Sequence, residues 1–452
     1  MKLFNQSEYD SFDTVLLNIV KYGIYFSAFT PLIIFRNSFS PFNFGKAVFF
    51  RILVEILVAC YLPLAIKYRH LRPNFSWVFF GVFLSTASLA LSSVFGVNPA
   101  MSFWGSMERM GGLFSFLHLL ALFLISTAVL KNRSDWIILF KISVLVSLIS
   151  VGYGFFQKGE FRYVVGSGEP AIGRIFGTIG NAAIFCGYLL FNVYFALWLF
   201  FENLKPKFPE PAPAAPEAQG FLRRIKKINW PKSQKNFYLL AAIVNSLAII
   251  NASVRGAAIA LFLSVFSFLI WLFIFREKLG FHQKFTPSAV EGPPGKNLFK
   301  ILFVILSLGL AFLFLYQAAL KTKIPVLERL AATSLGERNT QTRLLVWGEA
   351  LQAIKEKPLL GWGPENFIVP FGQYFNPKIF VGPEAELVFD RAHNLFLDVA
   401  ASQGLIGLFI FCFLLGTVLV FALKPAQREK DLATFFVFPF SVSPARPSCF
   451  RR

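Results

Sequence analysis

Arginine or histidine placed where an apolar stretch meets water can hold or move charge at a membrane surface. Arg174 lies in "GRIFGTIGN", Arg255 in "NASVRGAA", Arg338 and Arg343 in "GERNTQTRLLVW", and His393 in "RAHNLFLDVAASQG". Guanidinium forks bind phosphate oxygens through paired, charge-assisted bonds. A group of them can grip a diphosphate and stabilise it as it leaves, which removes much of the need for a metal ion. The acidic residues agree with this: the chain has no Asp-x-Asp, and "RNSFSPFNFGK" (36–46) holds no acid. A carboxylate set for a divalent cation is therefore not expected. His393 falls at a predicted helix start, where the helix dipole opposes an imidazolium while Asp390 and Asp398 favour one. The expected role of His393 is general base toward an acceptor hydroxyl. Arg343 is grouped with His393 as catalytic, and Arg174, Arg255 and Arg338 as diphosphate-binding.

Each of these residues alone has a plainer explanation. Arg255 can snorkel to head groups. Arg343 can stack on Trp347 one turn on. Arg174 can meet lipid phosphate, and His393 can cap a helix. They act together only if they face one side of one membrane, and the helices must ensure that.

Of the 452 residues, 56% are hydrophobic and 58 are Phe, more apolar material than a soluble core buries. Runs of ~20 apolar residues recur, each long enough to cross a bilayer. They are continuous, not alternating, which excludes a barrel. The fold class is all-α, a polytopic transmembrane helical bundle. Helices are expected at 14–35, 46–66, 75–95, 112–130, 136–156, 181–201, 237–252, 256–275, 299–320 and 394–422, with an eleventh starting near Leu432.

With the N-terminus in the cytoplasm, "KYRHLRPN", "KNRSD", the linkers 202–236 and 276–298, and "KPAQREK" face inward. They carry most of the Lys and Arg of the shorter loops, as the positive-inside rule requires. The net charge of +20 then reflects topology and does not point to nucleic acid. The outer side receives 96–111, 157–180, 251–256 and 321–392. The chain divides into a helical region spanning residues 1–320, a long outer loop 321–392, and a last helix with a shortened C-terminal segment, 393–452. Within the long loop, "TRLLVWGEALQAIKEKP" has an apolar stripe at Leu344, Trp347, Leu351 and Ile354. That spacing predicts an amphipathic surface helix ended by Pro358. Lys21 and Glu55 lie inside predicted helices, and Glu55 is expected to pair with Arg51 one turn away. Cys60, Cys186, Cys412 and Cys449 have neither metal-ligand nor disulfide-framework spacing. The first helix has no cleavage signature and is expected to remain as a signal anchor.

"GRIFGTIGNAAIFCGYLL", "SVRGAAIAL", "RLLVWGEALQAIKEKPLLGWGPENF" and "HNLFLDVAASQGLIGL" occur in this order. Together they resemble the O-antigen ligase and polymerase superfamily of bacterial envelope proteins. The most specific stretches are Arg-x-x-x-Trp, Pro-Leu-Leu-Gly-x-Gly, and His-Asn followed by Gly-Leu-x-Gly. The resemblance implies a GT-C-like bundle in the bacterial inner membrane. It implies metal-independent, inverting transfer of a glycan from a polyprenyl diphosphate (undecaprenyl diphosphate) carrier at the periplasmic face, with no cofactor. The acceptor would be lipid A-core, another glycan, or a protein, so ligase, polymerase and protein transferase stay open. Carried over, Arg174, Arg255, Arg343 and His393 match the family's functional positions. Arg338 matches no motif and is included for its charge and its place in the sequence.

Three departures stand out. The family's Gly-Asn-Pro-Asn reads "GNAA" here. The hydroxyl residue often found before the outer-turn arginine is Val254, with Ser253 adjacent. The end "FFVFPFSVSPARPSCFRR" is a broken apolar run where the family continues through further helices, as a truncation or frame slip would leave it. A transporter or lipid-carrier flippase is the alternative from another class; it would place ionisable residues near the bilayer midplane. A non-catalytic scaffold would be indifferent to loss of His393.

Overall fold

The computed structural model describes residues 9–158, 174–203, 234–275, 338–380 and 388–423. The helices expected at 299–320 and beyond Leu432 lie outside the described residues. The described chain is helical and contains no strand. The bundle is built from α1 (Ser11–Ser27), α2 (Phe44–Lys67), α3 (Trp77–Phe95), α4 (Pro99–Trp104), α5 (Leu113–Val129) and α6 (Arg133–Lys158). It continues with α7 (Ala182–Glu202), α8 (Gln234–Asn251), α9 (Arg255–Phe275), α10 (Arg338–Glu356), α11 (Ile368–Gln373) and α12 (Leu395–Leu423). Helices α2, α3, α6, α7 and α12 are long and apolar enough to cross a membrane, and α5, α8 and α9 contribute shorter apolar stretches.

Loop contacts sort the ends of the bundle. At one end Lys67 pairs with Asp13, the Lys131 ammonium donates to the His70 carbonyl, and Arg133 pairs with Glu202 at 2.5 Å. The opposite end, the His393 end, gathers 28–43, 96–112, 174–181, 252–254, 358–380 and 388–394. The core between the ends runs through α1, α2, α5, α6, α7 and α8, with Leu57, Val144, Phe185, Leu189 and Trp198 all buried. A second, smaller core of Val346, Ala350, Phe367, Phe371, Ile379, Phe389, Ala392 and Ala401 joins α10 and α11 to the start of α12.

Three sequence expectations are corrected. The helix expected at 14–35 ends at Ser27, and Thr30–Leu32 forms one 3-10 turn. Pro31 lies in that turn and cannot donate to a continuing α-helix. The surface helix begins at Arg338, not Thr342. Glu55 does not take Arg51 as its partner: its Oε1 lies 3.1 Å from His118 Nε2 on α5. Arg51 instead donates to the Met110 carbonyl and Ser115 Oγ, and lies over the Phe114 ring. Packing of α2 on α5 offers these partners across helices, which spacing along α2 alone does not show. Lys21 is matched by Asp135 on α6 at 2.7 Å, an ion pair buried in the bundle. A charge among apolar helices is retained only when so compensated.

Candidate active site

His393 precedes α12 in the left-handed region, with φ of 52°. A non-glycine residue pays about 1–2 kcal/mol there, so its neighbours must impose the conformation. The preceding residue, Ala392, is held by its backbone on both sides. Trp347 Nε1 on α10 donates to the Ala392 carbonyl at 3.0 Å, and the Ala392 N–H donates to Asp398 Oδ1 at 2.6 Å. Ala392 is fully buried, whereas His393 is exposed. The His393 ring meets Phe389 edge to face, centroids 5.5 Å apart. Asn394, not His393, caps α12, accepting from the Phe396 and Leu397 N–H groups. The plainer role for His393 is thereby taken by its neighbour.

Arg343 is exposed one turn before Trp347 on α10. The Trp347 bond therefore seats the helix that carries Arg343 against the segment that carries His393. Arg338 is the first residue of the same helix.

The α10 module is mounted on a kink in α12. Gly404 has φ of 69° within that helix, which breaks its ladder. Freed backbone groups are taken by the incoming chain: Leu405 N–H donates to the Pro358 carbonyl, Trp362 N–H to Ala401, and Gly363 N–H to Ser402. Ser92 on α3 donates to both Leu360 and Ser402 carbonyls. A Cβ at Gly404 would sit 2.1 Å from the Leu359 carbonyl oxygen. This docking explains why Pro-Leu-Leu-Gly-x-Gly and Gly-Leu-x-Gly occur together. It leaves 405–423, about 28 Å of helix, to cross the membrane.

The 96–112 loop packs against the same module. Ser102 donates to the Pro364 carbonyl, and Asn366 Nδ2 donates to Ser102 Oγ. Arg109 pairs with Asp390 at 2.6 Å, and Arg391 with Glu365 at 2.5 Å. These pairs are partly exposed and add little stability, but they flank the His393 segment and fix its register.

Arg174 and Arg255 sit on the other half of the same end. Arg174 is exposed, and the next residue, Ile175, is fully buried. Its turn is tied down by α6: Gln157 Nε2 donates to the Gly177 carbonyl, and the Thr178 N–H donates to Ser150 Oγ. Asn181 Oδ1 then accepts from the Ala183 and Ile184 N–H groups and caps α7. Thus the one Asn kept in the altered "GNAA" motif, Asn181, has a structural task. Arg255 opens α9 directly after the turn that closes α8, and α8 packs on α7, with Cys186 near the Ile249 carbonyl. Lys158 Nζ donates to Asn251 Oδ1, so the ends of α6 and α8 meet. The two halves are joined by α2, whose Lys46 reaches the Arg174 turn and whose Arg51 reaches Met110.

Residues 240–412 match the family model described as O-antigen ligase. That stretch of the chain carries an O-antigen ligase domain. The matched O-antigen ligase stretch contains Arg255, Arg338, Arg343, Trp347, His393 and the Gly404 kink, while Arg174 and α2 precede it. No curated protein matches the chain. The domain match and the apolar helices support a membrane protein of the glycosyl-transfer type, with a lipid-linked glycan and an acceptor as general partners.

Sequence reasoning missed the Ala392 clamp, Lys46, and the Arg109–Asp390 and Arg391–Glu365 pairs. Trp347 carried a signal through its motif. The partner it binds is a backbone carbonyl, which has no residue-type signature.

Proposed function

We propose that the protein transfers a glycan from a polyprenyl diphosphate carrier to an acceptor hydroxyl at the periplasmic face of the inner membrane. Arg174, Arg255 and Arg338 hold the diphosphate, Arg343 neutralises charge that develops as it leaves, and His393 takes the proton from the acceptor. The reaction inverts the anomeric centre, because one displacement places the acceptor oxygen opposite the departing phosphate, and it uses no metal. The observation that carries this reading is the doubly held backbone of Ala392. It fixes an exposed imidazole, in a strained backbone conformation, beside the arginine-bearing helix and at the end that also carries Arg174 and Arg255. A preorganised base and a set of cations around one leaving group are what such a displacement needs.

The test is His393→Ala in cells that make the glycan. Membrane insertion and amount are expected to be unchanged and transfer to be lost, with carrier-linked donor accumulating. Transfer at the wild-type rate would remove the general-base role.

A further inference from the structure

We infer that Lys46 is a positioning residue for the donor site, acting by holding the turn that presents Arg174. This deepens the proposed function and rests on it. Lys46 Nζ donates to the Thr178 carbonyl at 2.5 Å and to the Phe42 carbonyl at 2.6 Å. The first bond crosses from α2 to the turn that begins right after Arg174, and the second ties the same ammonium to the loop before α2.

The placement of this lysine goes against its local preference. It lies in the first turn of α2 (Phe44–Lys67), where a cation opposes the helix dipole by about 0.3–1 kcal/mol. A residue that breaks a local rule signals a compensating tertiary role, and the two carbonyls supply it. The turn is pressed against the same loop: a Cβ at Gly180, φ of 85°, would lie 2.3 Å from Phe42 Cβ. Ser150 and Gln157 hold the turn from α6. Lys46 is its charged tie to α2, whose Arg51 in turn holds the Met110 end of the 96–112 loop. The lysine therefore sets where Arg174 stands relative to the half of the site that carries His393.

The experiment measures binding of undecaprenyl diphosphate, the carrier without glycan, to the purified full-length protein in nanodiscs. Lys46→Met, Lys46→Arg, Arg174→Ala and the double variant Lys46→Met/Arg174→Ala are compared with wild type. Turnover and donor KM are measured in parallel. Loss of one charge-assisted phosphate contact weakens binding by about tenfold or more. Arg174→Ala is expected to show that loss, Lys46→Met to approach it, and the double variant to be no weaker than Arg174→Ala. Donor KM should rise in Lys46→Met while kcat changes little, and Lys46→Arg should recover most of the affinity. A purely structural lysine would lower the thermal midpoint without this split. Unchanged binding in Arg174→Ala would overturn the diphosphate clamp itself. Impaired Arg174→Ala combined with an unimpaired Lys46→Met, or with losses that multiply in the double variant, would overturn the Lys46 role alone. Should Lys46→Met fail to accumulate, Lys46→Gln, which keeps a neutral donor, takes its place in the same cycle.

Discussion

Trp347→Phe isolates the clamp on the histidine. The substitution keeps an aromatic ring on α10 and deletes one N–H, the donor to the Ala392 carbonyl. The lost bond is worth about 0.5–1.5 kcal/mol net, and a carbonyl left buried without a partner costs about 1–3 kcal/mol. His393 meanwhile stays in its left-handed conformation at φ of 52°, about 1–2 kcal/mol above the ordinary regions. With one side of the clamp gone, these terms are comparable, and the segment is free to relax. A shift of about 1.4 kcal/mol lowers the ratio of held to relaxed conformer about tenfold. We therefore expect kcat for glycan transfer to fall, by up to roughly tenfold. Affinity for undecaprenyl diphosphate should stay near wild type, because the arginines are untouched. The assay is transfer in nanodiscs with purified enzyme, with His393→Ala as the floor and circular dichroism and thermal midpoint as folding controls. A Trp347→Phe enzyme with wild-type kcat would refute the idea that this bond positions the base. A loss of carrier affinity equal to the loss in kcat would assign Trp347 to donor binding instead.

Three further outcomes follow from the geometry. Gly404→Ala should destabilise the protein by about 2 kcal/mol or more, since a Cβ there meets the Leu359 carbonyl at a forbidden φ; an unchanged thermal midpoint and unchanged protease resistance of the α10 module would count against the docking role of the kink. Glu349 is buried on α10, with one carboxylate oxygen accepting from the Asn376 N–H and the other, among the described residues, unpartnered. Burial pushes its pKa above the ordinary carboxylate value, against the smaller opposing effect of the Asn376 bond. The folded state thus holds this proton more tightly than the unfolded chain, and the stability of the protonated form is lost as pH rises through the folded value. Glu349→Gln should therefore raise the thermal midpoint at neutral pH and lose that advantage under acid conditions; a midpoint difference that does not vary with pH would contradict it. Finally, EDTA should leave transfer intact, and complete loss restored by added divalent metal would reveal a metal requirement.

The sequence by itself determined the apolar helices, because bilayer thickness demands long continuous runs that no other fold needs. It also marked Arg174, Arg255, Arg343 and His393, since chemistry-bearing residues at helix ends stand out against Leu and Phe. Helix ends were less legible: Pro31 stopped the first helix early, and the Gly404 break passed for an ordinary helical glycine. Which groups touch was decided only by tertiary structure. Glu55 found His118 because α5 lies beside α2, and the His393 segment is fixed by Trp347 and Asp398 through the backbone N–H and carbonyl of a single buried residue, Ala392. Backbone donors and acceptors are the same at every position, so a bond to one of them leaves no trace in the order of residues until folding brings its partner near.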